Sequence, residues 1–303
     1  MTDIVGIGAC VMDTLIKLPR YPAEDTKLRA LSSKQAGGGP VATGLTAAAK
    51  LGCRAGYIGV LADDAGGSFL KADFQKYGVD CSETVSVGGC RSFTSQIWLS
   101  ESEKTRTCVF DKGDLPPLSL SDSQKRAVKE AKLLMLDGNE LSAAIDAAHI
   151  AKENGADVLY DAGGLYEGVE RLLPLASILI PSEEFALGIT GLTTAEQAAE
   201  KLYGDFRPKV VVITQGKRGG IMYDGSSVRG YPALPAEVVD SNGAGDVFHG
   251  AFAAGLMHGY SYYDCCIFAS AVSAIKCTGF GARESVPDFD TVIKYLKENG
   301  YEF

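Results

Sequence analysis

The sequence predicts an α/β fold: a doubly wound, mostly parallel sheet with helices on both faces, plus a separate small β-sheet. Three observations lead there. Short apolar runs recur at 131–137 (AKLLMLD), 156–161 (ADVLYD), 176–181 (ASILIP) and 209–214 (KVVVIT). Helical patterns at 140–153, 168–174, 183–190 and 193–203 separate them. Strands that are apolar throughout, alternating with helices, form a parallel sheet covered on both sides. The third observation is a break in that rhythm. Residues 91–100 and 104–110 alternate around Glu101-Ser102-Glu103 and read as a hairpin, which joins the extended stretch 11–34 in a small sheet of its own.

Taken in order, Asp3 to Gly8 (DIVGIG) is a buried first strand. Gly6-x-Gly8 suggests a dinucleotide turn, but Val11 stands where the third glycine belongs and no helix follows. Residues 11–18 read as a strand, 19–25 as a loop and 27–34 as a second exposed strand. Gly37-Gly38-Gly39-Pro40 then opens an Ala-rich helix over 41–51, which Gly52 ends. A strand at 54–60 leads to Asp63-Asp64-Ala65-Gly66-Gly67, which caps a helix reaching Tyr77. In the parallel region Asp137, Asp161, Ser182 and Thr214 fall at the carboxyl ends of strands, where open α/β sheets bind ligands. Helices at 262–276 and 288–299 close the chain.

Composition bounds the function. The chain has 303 residues, 46% hydrophobic and 22% charged, enough for one large α/β domain or two ordinary ones. A formal net charge of -9 weighs against a nucleic-acid partner. A local nest of amides can still hold an anion against that global sign. No apolar run has membrane length, and no basic stretch followed by an apolar one marks a signal peptide, so a cytoplasmic protein is expected. The eight Cys include no CxxC, and the three His (149, 249, 258) are dispersed, so neither a disulfide framework nor a His-based metal site is expected.

The chemistry concentrates at Asp240-Ser241-Asn242-Gly243-Ala244-Gly245-Asp246-Val247-Phe248-His249-Gly250-Ala251. The glycines permit a tight turn, and the amides of a helix start carry partial positive charge. Asp246 sits one step past them. That is an anion cradle beside a carboxylate, suited to phosphoryl transfer to a hydroxyl. On spacing alone it reads equally as a capped helix.

This stretch resembles the second signature of the PfkB (ribokinase-like) carbohydrate kinases, Asp-Thr-x-Gly-Ala-Gly-Asp-x-Phe-x-Gly-Ala, with Ser241 in place of Thr. The resemblance implies an ATP-dependent sugar kinase. Asp246 would be the base, and Gly243, Ala244, Gly245 and Asp246 would supply an anion hole. An Asp so close to a helix start should be a weak base, since the dipole favours its ionised form. Gly37 to Thr43 resembles the family's Gly-Gly-x-Pro-x-Asn, with Ala42 for Asn; Gly37, Gly38, Gly39, Thr43 and Asp13 would hold the sugar. Thr214 to Gly220 resembles a Thr-x-Gly-x-x-Gly nucleotide loop, so Thr214, Gly216 and Gly219 would contact ATP with Ser182 nearby. Gly281-Ala282 to Pro287 resembles the terminal nucleotide loop, which brings in Gly279 and Gly281. Residues 182–185 fall where the family carries Asn-x-x-Glu, which implies an indirect role for Glu184 at Mg2+. Asp240 and Asn242 would help hold a potassium ion. Residues 1–10, 35–90 and 112–303 would form the kinase core, and 11–34 with 91–111 a lid over the sugar. An apolar lid face also allows a homodimer.

The acceptor stays open at this point. Ala42-Thr43, together with Lys276-Cys277-Thr278 and Arg283, resembles the ketohexose and sulfofructose kinase branch. A sugar phosphate, a sulfonated ketose or a nucleoside is the alternative to a plain sugar. An anionic tail would need a cation, for which Lys27, Arg29, Arg91 and Arg106 are candidates. A sugar-binding relative without turnover is the third reading.

Overall fold

A computed structural model describes residues 2–103 and 105–303. Position 104, the expected start of the second hairpin strand, lies outside them. The chain opens with β1 (Ile4–Ile7), β2 (Val11–Leu18), β3 (Ser32–Gly38), α1 (Pro40–Lys50), β4 (Ala55–Ala62) and α2 (Ala65–Lys76). Then come β5 (Thr84–Val87), β6 (Thr94–Ser100), β7 (Thr105–Asp111), α3 (Asp122–Glu130), β8 (Leu133–Leu136), α4 (Leu141–Glu153) and β9 (Asp157–Ala162). The rest is β10 (Ile178–Pro181), α5 (Glu183–Thr190), α6 (Ala195–Phe206), β11 (Val210–Thr214), β12 (Gly220–Tyr223), β13 (Val228–Tyr231), α7 (Ala244–Met257), α8 (Tyr262–Cys277) and α9 (Phe289–Glu298).

The large sheet has nine strands in the order β13-β12-β11-β10-β9-β8-β1-β4-β5. All neighbours run parallel except at β12 and β13, which add antiparallel to one edge. The small sheet has four strands, β3-β2-β6-β7. The expected fold class therefore holds. Alternation within the strands explains the two layers. Leu133 and Met135 join one core with α1, α7 and α8, while Leu134 and Leu136 join the other with α4 and α6. Side-chain caps mark several helix starts: Asp64 accepts from the Gly67 amide, and Ser182 from the Phe185 amide.

Some elements differ from expectation. The strand expected at 27–34 lies at Ser32–Gly38, because β3 pairs with β2 from Lys17↔Ser32 to Val11↔Gly38. Gly37 and Gly38 thus belong to the ladder, and only Gly39 caps α1. The helix expected at 168–174 is a 3-10 helix, Val169–Leu175, with Pro174 inside it. Proline lacks the N–H that a longer α-helix would use. The short strands β5 (TVSV), β12 (GIMY) and β13 (VRGY) were not legible, since none carries the continuous aliphatic run that marks the equally short β8 and β10.

Two features position the site. The chain leaves β1 toward β4 on one side and β8 on the other, which makes a topological switch point at their carboxyl ends. Helices α1 and α7 also pack backbone to backbone: a Cβ on Gly250 would lie 2.0 Å from the Gly44 carbonyl oxygen. Among the described residues, no helix is long and apolar enough to cross a membrane.

Candidate active site

The starts of α1 and α7 meet at this switch point. Gly39 caps α1 with φ 92°, and a Cβ there would lie 2.2 Å from the Ala9 carbonyl oxygen. Gly243 caps α7 with φ 74°, and a Cβ there would lie 2.5 Å from that of Ala282. Both positions need glycine. Among the described residues, nothing accepts a hydrogen bond from the amides of Gly243, Gly245 and Asp246. Ala244 differs from expectation, because its N–H donates to the Ser241 carbonyl at 3.2 Å. The turn itself consumes that donor, which leaves three amides open.

A cleft of about 280 Å³ lies between the small sheet and the carboxyl edge of the large one. Asp13, Gly38, Gly39, Thr43, Asn242 and Asp246 line it, so the expected sugar side and the expected base share one cavity. Gly37 does not line it. Its missing side chain makes room for Arg283 and Asp73 instead.

Asp13 is buried, and Ser95 donates to its carboxylate at 2.6 Å. Its other oxygen lies against Gly38, where a Cβ would come within 2.0 Å. Burial pushes its pKa up to about 6, against the lowering effects of Ser95 and Arg283. Asp246 is partly open to the cleft. The surrounding protein withdraws enough water to push its pKa up, while His249 and Arg106 act the other way. Desolvation thus favours the protonated form of Asp246 and works against the dipole's bias toward the ionised one.

His249 is buried beneath α7, with Nδ1 2.7 Å from the Gly245 carbonyl and Nε2 2.9 Å from that of Ile180. It ties the first turn of α7 to the sheet. Asp161, on the cleft floor, stands 3.2 Å from the same ring, and burial raises its pKa. Asp137 accepts from the amides of Ala9 (2.8 Å) and Val41 (3.1 Å), which joins β1 to α1 across the switch point. Arg283 is buried with its guanidinium on Asp73 (2.5 Å), the Gly38 carbonyl (2.6 Å) and the Thr43 hydroxyl (3.3 Å). It fixes the β3–α1 turn, the expected sugar side of the cleft.

The expected nucleotide residues lie farther along the same edge and do not line the cleft. Ser182 bridges to Thr214, Gly216 begins a 3-10 turn, and Gly219 has φ 85° with the Tyr231 carbonyl 2.1 Å from where a Cβ would sit. Glu183 accepts from Gln215 at 2.7 Å and pairs with Arg218, whereas Glu184 is exposed. The acid that reaches this loop is therefore Glu183. A Cβ on Gly279 would meet the Ser285 hydroxyl.

The expected potassium ligands do not fit such an ion. The Asp240 carboxylate accepts from the amides of Asn242 (2.8 Å) and Gly281 (2.9 Å). The main-chain oxygens of Asp240 (2.7 Å) and Asn242 both accept from Lys276 Nζ. Lys276 entered the sequence reading only through the branch resemblance, and its hold on this turn was not foreseen. Its signal was a lone lysine in the small, apolar face of α8. Of the cations considered for an anionic tail, none lines the cleft, but Lys112 does.

Open amides beside a carboxylate, facing a small polar cleft, can hold a phosphate and deprotonate a neighbouring hydroxyl, which is phosphotransferase chemistry. The pfkB family carbohydrate kinase profile matches residues 1–288, and the chain belongs to that family. The expected enzyme class, an ATP-dependent carbohydrate kinase, stands with it. Ribokinase from Haemophilus influenzae is 27% identical over 297 residues, covering 96% of this chain and 97% of its own. A 5-dehydro-2-deoxygluconokinase from Clostridium perfringens is 29% identical over 330 aligned residues, covering 99% and 94%. Among solved structures, Arabidopsis thaliana ribokinase complexed with ribose and ATP superposes with a TM-score of 0.87 at 28% identity, covering 98% and 99%.

Proposed function

We propose that the chain transfers the γ-phosphate of ATP to a hydroxymethyl group of a small sugar such as a ketohexose or ribose. The observation that carries this reading is that Asp13 and Asp246 line one cleft at the open amides of α7. Its volume, about 280 Å³, suits a small acceptor, just below the roughly 300–1,000 Å³ of ligand sites. The Asp13 carboxylate accepts from sugar hydroxyls, and Gly38 and Gly39 let the ring approach the backbone. Asp246 takes the proton of the attacking hydroxyl as its oxygen bonds to the γ-phosphorus. The bond to the ADP oxygen breaks, and the amides of Gly243, Gly245 and Asp246 hold the charge on the transferred group. ATP lies along Ser182, Thr214, Gly216, Gly219 and the 278–285 loop. Mg2+ bound with ATP would neutralise charge on the phosphates, and Glu183 and Glu184 in the first turn of α5 would be the acids near it. The small sheet acts as the lid, with Phe110 of β7 on the cleft side, and exposed Val109 on the opposite face of that strand offers a surface for a homodimer.

A second reading is a sugar derivative with an anionic tail, supported by Lys112 at the cleft wall. A screen of ADP release across ketohexoses, aldopentoses, nucleosides and sulfonated or phosphorylated ketoses decides between them. Turnover with a plain sugar supports the first reading. Activity confined to anionic ketoses supports the second. ATP and acceptor binding without ADP release from any acceptor refutes both and leaves a binding protein.

A further inference from the structure

Lys276 lies in the last turn of α8, a helix otherwise rich in small and apolar residues, and its side chain is wholly buried. Burying an ammonium is costly unless oxygens replace its water. Here the replacements are two main-chain carbonyls, of Asp240 and Asn242, in the turn that feeds α7. The same turn is clamped from its other side, where the Asp240 carboxylate holds the Asn242 and Gly281 amides.

The consequence reaches the anion site through one peptide bond. In a trans peptide the C=O and N–H point in opposite directions. Fixing the Asn242 carbonyl on Lys276 therefore aims the Gly243 N–H the other way, to the side where it has no protein partner. The ammonium also polarises that peptide, which strengthens the amide as a donor. A monovalent metal ion on these oxygens would do the same two things, but it cannot share the position with Nζ.

We infer that Lys276 is a tethered cation standing in for a monovalent metal ion behind the anion-binding turn, so that this enzyme works without potassium. The inference rests on the kinase reading of that turn. Lys276 is a positioning residue, acting through the Asn242–Gly243 peptide and not on substrate.

The test uses the full chain, freed of potassium, in KCl, NH4Cl or choline chloride at equal ionic strength. Two quantities are read: ADP release with an active acceptor, and the melting temperature without substrates. For the unaltered chain, both are expected to be the same in all three salts. Lys276→Ala should lose about tenfold or more in kcat and regain part of it in KCl or NH4Cl but not in choline chloride. Its melting temperature should rise by about 2 °C or more in the same two salts alone. A merely structural lysine would give a variant indifferent to the cation, and that outcome overturns the inference. So does potassium activation, or potassium-specific stabilisation, of the unaltered chain. If Lys276→Ala does not fold, Lys276→Gln takes its place, and the unaltered chain's cation response still decides. Should no acceptor yield ADP, the kinase reading fails, while the melting comparison still judges Lys276 alone.

Discussion

Exchanging Asp246 for Asn removes one negative charge from the cleft and almost no volume. The first turn of α7 keeps its shape, and the open amides of Gly243 and Gly245 keep their direction. What disappears is the group that, on the proposed mechanism, accepts the hydroxyl proton. General-base catalysis contributes about 10²–10⁴-fold, or about 2.7–5.4 kcal/mol of barrier. No neighbour can substitute. Both ring nitrogens of His249 are held by carbonyls, at 2.7 and 2.9 Å, beneath the helix. Asp161 is buried beside that ring, and Asp13 is engaged with Ser95. A loss of about 10²-fold or more in kcat is therefore expected, with ATP affinity unchanged. Stability should move the other way. Burial holds the folded-state pKa of Asp246 above its unfolded value. Stability thus falls as pH rises through the folded pKa, and above it the ionised carboxylate opposes folding. Asn removes that opposition, so the variant should melt at the same temperature or higher. Steady-state ADP release, calorimetric ATP titration and thermal unfolding measure the three quantities. A variant that keeps kcat within about threefold of the parent would refute the assignment.

Arg283→Met should destabilise the fold by about 3–5 kcal/mol in urea unfolding, because Asp73 loses its buried partner. The acceptor KM should rise as well, since Gly38 and Thr43 lose their anchor, whereas the ATP KM should not. The pH profile follows from Asp13, whose pKa is pushed up to about 6. Its folded pKa is the raised one, so it takes up a proton as pH falls below that value. The kcat/KM for the acceptor should drop there, and Asp13→Asn should flatten that limb at a lower plateau. A profile unchanged by Asp13→Asn would remove Asp13 from the sugar site.

Much of the candidate cleft was legible because its signals are local. Gly243 and Asp246 lie in one turn, and the conformational need for glycine at φ 74° shows in any sequence that must make it. Gly38, Gly39 and Thr43 were likewise read from one glycine-rich helix start, and they reach the cleft. Gly37 was misplaced because the β2–β3 register, which no local pattern reveals, puts it in the strand facing Arg283. Ala244 was counted as a donor because chain spacing cannot show that its amide turns back on Ser241. Asp137 and Asp161 stood at strand ends with nothing to distinguish them from helix caps.

The sequence by itself determined the parallel core, the small sheet and the glycine turn that opens α7. Each follows from periodicity or backbone freedom within about 10–15 residues. Tertiary structure alone decided which charges stand behind that turn and how strongly its acids hold their protons. Lys276 meets Asp240 across 36 residues, and Arg283 meets Gly38 across 245. The raised pKa values of Asp13 and Asp246 come from water displaced by the whole fold. Burial and long-range pairing are properties of packing, so no stretch of sequence carries them.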